Sequence, residues 1–212
     1  MTDNDLPGVV NIFGTDDGVE IDGNDNIVRA SGDITGVAGD GVDIFGDDNT
    51  VDAGGSIWGD PGVIIVGNDN NVSAGDEIIG FVGEGVIITG EDNTVENGSD
   101  AVFGFDNLGI FGGTDGVEVT VGGDDNTVDT AGGIFGATGD GVILDSNDND
   151  VSTGMMTTAN TPIGSTDLGI FGFQNGVDIG GAGAVNENTV TTDGFIYANS
   201  GIGVAINGDA KM

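Results

Sequence analysis

The chain has no cysteine and no histidine, and only two cationic side chains among its 212 residues. Each absence excludes a chemistry. Without cysteine there is no disulfide framework and no thiolate metal site. Without histidine the commonest general base and most zinc chemistry are missing. Arg29 and Lys211 cannot build the basic patch that nucleic acid or an anionic membrane surface requires. A polyanionic glycan would be repelled too, because 37 acidic residues leave a formal net charge of −35. No apolar run approaches the ~20 residues that span a bilayer, which excludes membrane insertion through a helix. The opening Met1-Thr2-Asp3-Asn4-Asp5 lacks the basic and apolar regions of a secretory signal.

What is present is glycine, 44 residues of it, and a 37% hydrophobic fraction in short regular bursts. Charge and glycine alone would suit a disordered chain. The bursts do not, because they repeat. A Gly-Val-x-Ile/Val/Leu unit begins at Gly18, Gly41, Gly62, Gly85, Gly116, Gly141 and Gly176, and again as Gly203-Val204-Ala205-Ile206. Each is followed by a turn with an acid–Asn pair: Asp25-Asn26, Asp48-Asn49, Asp69-Asn70, Asp92-Asn93, Asp125-Asn126, Asp148-Asn149 and Glu187-Asn188. A valine comes two residues later, from Val28 to Val190. An Ile-aromatic-Gly-like segment closes the unit, as in Ile57-Trp58-Gly59, Ile110-Phe111-Gly112, Ile134-Phe135-Gly136 and Ile170-Phe171-Gly172. Each unit therefore holds three short period-2 segments between Gly, Asn and Asp turns, the signal for β-strands.

This pattern resembles the parallel β-helix repeat proteins, the pectin-lyase-like and other extracellular β-solenoids. The resemblance covers nearly the whole chain and rests on the Gly-Val-x-Ile strand and the Asn of the following turn. It implies an all-β fold, a single parallel β-solenoid domain over residues 1–212. About eight coils, each of three short strands, would stack ~4.8 Å apart. The calcium-binding nonapeptide of the RTX toxins is a neighbouring comparison. Its Gly-Gly-x-Gly-x-Asp pattern does not occur here in regular form. Two coils carry inserted loops, residues 97–109 and 154–169, on the side where solenoids commonly build a binding face.

Stacking turns every repeat position into a column. The asparagines sit two residues before an inward valine, so they point inward and form an amide ladder: Asn26, Asn49, Asn70, Asn93, Asn126, Asn149 and Asn188. The acids before them face solvent: Asp25, Asp48, Asp69, Asp92, Asp125, Asp148 and Glu187. A second acidic column, Asp17, Asp40, Glu84, Asp115 and Asp140, precedes the repeat glycine. These two columns are the candidate ligands of Ca²⁺ bridging successive coils, set against a solvated acidic face without bound metal. Outward apolar residues Ile64, Val66, Ile87 and Ile143 mark a candidate lateral self-contact. The rings Trp58, Phe111, Phe135 and Phe171 join them if they face outward, where they could also stack on a glycan; the alternative is that the following Gly tucks them in.

The two ends read as incomplete repeats without caps. Asp3, Asn4 and Leu6 match the acid–Asn–x–Val step, and Val204, Ile206 and Asp209 belong to a first strand entering its turn. Joined head to tail, two copies would complete one coil, and such a heterologous contact propagates as a filament. The chain is thus expected to be a self-assembling structural protein, not an enzyme, in an extracellular matrix or at a cell surface; a cytoplasmic filament is the alternative. Its aspartates follow the repeat, so no pair stands out for catalysis. A threonine row suited to ice, Thr50, Thr94, Thr127 and Thr189, is interrupted by Ile27, Asn71 and Asp150.

Overall fold

The computed structural model describes residues 10–102, 104–158, 167–180 and 185–207. Asp3, Asn4, Leu6 and Asp209 lie outside them. The described chain is all-β, with 25 strands and no helix. Three parallel sheets, here named A, B and C, wind into a solenoid of about eight turns. Sheet A stacks the Ile-aromatic-Gly strands, from Ile12–Gly14 to Phe195–Ala198. Sheet B stacks the Gly-Val-x-Ile strands, from Val19–Asp22 to Val204–Ile206. Sheet C stacks the turn-following strands, from Ile27–Ala30 to Thr189–Thr192. The chain runs B, C, A and back to B.

Register follows the repeat without slip along sheet B: Val19, Val42, Val63, Val86, Val117, Val142, Val177 and Val204 pair in succession. Period-2 alternation fixes it, since a slip of one residue would turn every apolar side chain outward. The core is the set of inward columns. Ile44, Val51, Ile57, Val63, Ile65 and Val72 are fully buried, and their counterparts match them as far as Val151, Ile170 and Val177, with Ile179, Val190 and Ile196 partly buried.

The corners explain the glycines. At Gly59 a Cβ would lie 1.8 Å from the amide N of Gly41, so the corner from sheet A to sheet B closes only without a side chain. At the corner from B to C, Gly46 has φ +144°, and a Cβ there would meet the Gly23 carbonyl at 2.2 Å.

Both inserts add strands to the flank of sheet A. Asp100–Val102 runs antiparallel to Phe105–Gly112, and Thr157–Thr158 pairs antiparallel with the same strand. An isolated bridge joins Met156 to Leu168. The segments inserted two coils apart therefore meet each other across the coil between them. They enclose a second, smaller core of Leu108, Met156, Leu168 and Phe171, with Phe105, Phe111, Phe135 and Tyr197 packed against it.

Candidate functional site: side-chain ladders, acidic rows and open ends

Each corner from B to C is built on a triplet, Asn24-Asp25-Asn26 in the first coil and Asp47-Asp48-Asn49 in the next. Its third residue forms the buried ladder. Asn49 Oδ1 accepts from the main-chain N and the Nδ2 of Asn26, both at 3.0 Å. Asn49 in turn donates from N and Nδ2 to Asn70 Oδ1, and from Nδ2 to the Gly23 carbonyl at 2.8 Å. Asn70 repeats this toward Asn93, Asn93 donates from N to Asn126 Oδ1, and the chain continues through Asn149 to Asn188. Asn49, Asn70, Asn93, Asn126 and Asn149 are at most 1% exposed. A buried amide costs ~1–3 kcal/mol when unpaired, and the ladder removes that cost by using both donors and the acceptor.

The middle residue of each triplet is the exposed acid. Asp25, Asp48, Asp69, Asp92, Asp125, Asp148 and Glu187 all adopt the left-handed conformation, φ 55° to 60°. Aspartate and asparagine enter that region more readily than other residues with a side chain. Their turn chemistry thus gives these acids a conformational reason to be there, separate from any ligand. The first residue was missed in the sequence reading. Asn24 Oδ1 accepts from Asp47 N, Asp47 Oδ1 from Asn68 N, and Asn68 Oδ1 from Glu91 N, at 2.8–2.9 Å. The Asn or Asp two residues before every ladder asparagine but Asn93, which follows Glu91, was the available signal.

The second acidic column lies half-buried at the corner from A to B. It too caps the following coil. Asp17 Oδ1 accepts from Asp40 N at 2.8 Å, Asp115 Oδ1 from Asp140 N, and Asp140 Oδ1 from Asn175 N at 2.6 Å. Asp40 is pushed up to about 6 by burial and by the carboxylates of Asp43, Asp17, Asp60 and Asp16. Burial, followed by neighbouring acids, also raises Asp43, Glu118 and Asp178. Asp115 moves the same way by burial, opposed by its bond from the Asp140 N–H. Among the described residues, no group of three or more acids comes together to hold a metal ion. The carboxylates of the two columns stand in rows, not in a cage.

The lateral contact needs correcting at its rings. Phe111, Phe135, Phe171 and Tyr197 stack in a column of their own, with centroids 5.5, 4.4 and 5.5 Å apart in succession. Phe105 from the first insert lies 4.9 Å from Phe135, and Phe171 is only 8% exposed. The inserts cover these rings, so Phe111, Phe135 and Phe171 form no open row for a partner. Trp58 is half-buried, edge-on to Phe81 at 6.1 Å, and gives its indole N–H to buried Glu77. Ile64, Ile87 and Ile143 are half-buried on the outer face of sheet B, and Val66 is exposed.

The ends differ from the middle. Val204 is 45% exposed and Ile206 67%, whereas Val177, one coil earlier in the same column, is fully buried. At the other end Phe13 and Val10 stand out in solvent, while Val19 and Ile21 remain buried. In sheet B the last described strand is thus more exposed than the first.

No known protein family, no curated protein and no solved structure matches this chain. Its architecture is that of a parallel β-solenoid repeat protein.

Proposed function

We propose that this chain is a structural protein that joins end to end with copies of itself into a β-solenoid filament, in an extracellular matrix or surface fibre. The observation that carries the reading is the exposure of the last described strand of sheet B. Ile206 is 67% exposed at a position whose counterparts Ile44, Ile65 and Ile88 are fully buried. One further coil of the same repeat would bury it, and a second copy can supply that coil. Negative-stain microscopy and sedimentation of the purified protein test the proposal. Rods many subunits long are expected; monomers at every concentration and salt would overturn it.

A glycan-binding rod is the second reading, favoured by Trp58 and Phe81 at the corner from A to B, where Phe81 and Val82 are exposed. Trp58 is the only tryptophan. Quenching of its fluorescence by neutral oligosaccharides, in a protein that stays monomeric, would favour that reading.

A further inference from the structure

The filament reading leaves open how two copies meet. We infer that the junction is parallel and in one register, sheet B strand Val204–Ile206 of one copy on Val19–Asp22 of the next, and Phe195–Ala198 on Ile12–Gly14. The inference rests on the end-to-end reading above and specifies its contact.

Three observations lead to it. The first is phase. The described solenoid starts with a strand of sheet A and finishes with a strand of sheet B. Translation of one copy along the axis continues both sheets with no strand placed twice. Inverting a copy would reverse the sense in which the chain circulates, so A and B could not both continue in parallel; sheet C has seven described strands against eight along A and along B, so its continuation needs one strand more than the described residues supply. The second is the main chain. In every coil the N–H groups at the start of the sheet B strand donate to the next coil, as Gly176 N to Ile202 O at 3.1 Å and Val177 N to Gly203 O at 2.9 Å. One step on, Gly203 and Val204 present the same donors, and the matching acceptors on the next copy are the carbonyls of Asp17 and Gly18.

The third is charge. Inside the chain, Asp17 stands next to Asp40, and Glu20 pairs with Asp43, like charges in both columns. Toward the C-terminal face the Asp17 column loses its charge, and the Glu20 column, already interrupted by Ile64, Ile87 and Ile143, ends on Ala205. Asp140 is followed by Asn175 and then Ile202. Asp178 pairs with Ala205. The proposed junction sets Ile202 against Asp17 and Ala205 against Glu20, with no carboxylate facing another at these positions. The ring column continues as well, from Tyr197 to Phe13 of the next copy, which is 70% exposed when alone.

The test uses the absence of cysteine. Glu20→Cys and Ala205→Cys are combined in one chain, both on the outer face. Within a copy they lie about 30 Å apart along the axis, too far for a disulfide, whereas in-register neighbours sit ~5 Å apart. Oxidation should give a ladder of covalent multimers on non-reducing gels. Asp22→Cys with Ala205→Cys, two residues out of register, should give none. Glu20→Cys alone should give no dimer, because a dimer would mean head-to-head contact. A second variant, Ala205→Asp, faces Glu20 with a like charge and should raise the critical concentration about fourfold at low salt, reversed by Glu20→Ala. Filaments without the Glu20–Ala205 ladder would overturn the register and leave the filament standing. A wild-type protein that never assembles, its end faces covered from within the same chain, would overturn both.

Discussion

At the scale of single residues the corner triplet divides its tasks by burial. Asn70 accepts from Asn49 and donates to Asn93 and to the Gly46 carbonyl, so removing its amide orphans the Asn49 main-chain N–H, one Asn49 Nδ2–H and the Gly46 carbonyl in the preceding coil. At ~1–3 kcal/mol for each orphaned buried group, Asn70→Ala should cost at least about 3 kcal/mol in urea unfolding. Asp69 beside it is exposed at φ 56°. Asp69→Asn keeps the left-handed preference and should shift stability by less than about 0.5 kcal/mol. Asp69→Val should cost ~1–2 kcal/mol, the price of a β-branched side chain in that conformation. Equal losses for Asn70→Ala and Asp69→Asn would contradict the ladder as the stabilising column.

At the scale of elements, sheet B carries a half-buried acidic face whose titration has a definite sign. Asp40, Asp43, Asp115, Glu118 and Asp178 hold their protons more tightly folded than unfolded. The folded state then binds more protons between the ordinary carboxylate range and the raised values, and stability falls as pH rises through that window. For Asp40 the window runs from 3.8 to about 6. Melting followed by circular dichroism at constant ionic strength should therefore give a higher Tm near pH 4.5 than near pH 7. Asp43→Asn should raise the Tm at pH 7 and flatten the profile. The strands of this face were legible in the sequence, because Val-x-Ile alternation and the glycine spacing recur in each coil. The ladder asparagines were legible for the same reason. The fate of Phe135 was not. Its cover comes from Phe105 and the Met156–Leu168 segment, and non-repeating loops leave no periodicity to read. The first triplet residue was overlooked because its identity varies among Asn, Asp and Glu, although Asn and Asp offer the same Oδ1 acceptor. Met156 is fully buried beneath the inserts, and Met156→Ala should cost ~2–5 kcal/mol and expose the second insert to proteolysis.

At the scale of the whole molecule, net charge opposes what the ends favour. The formal charge of −35 lies in good part in rows along the solenoid, so each added subunit extends a line of like charge. Neighbouring carboxylates ~5 Å apart repel by about 1 kcal/mol even in bulk-like dielectric, and more near a protein surface. Against this stands the burial of Val204, Ile206 and Phe13 at one junction, worth about 1.5–3 kcal/mol for each large apolar side chain fully buried. Burial at one junction exceeds the repulsion of any single carboxylate pair, but the repulsion sums along the rows, so ionic strength should shift the balance between monomer and filament. Raising sodium chloride from about 20 mM to about 500 mM shortens the screening length from roughly 20 Å to under 5 Å. Light scattering and microscopy should then show filaments growing at protein concentrations that leave monomers at low salt. Calcium, proposed here as a counterion bridging the acidic rows, should act at far lower concentration than sodium and be reversed by EDTA. Calcium no more effective than sodium at matched ionic strength would reduce its role to screening. Assembly indifferent to both salts would mean that the acidic rows play no part in holding the subunits apart.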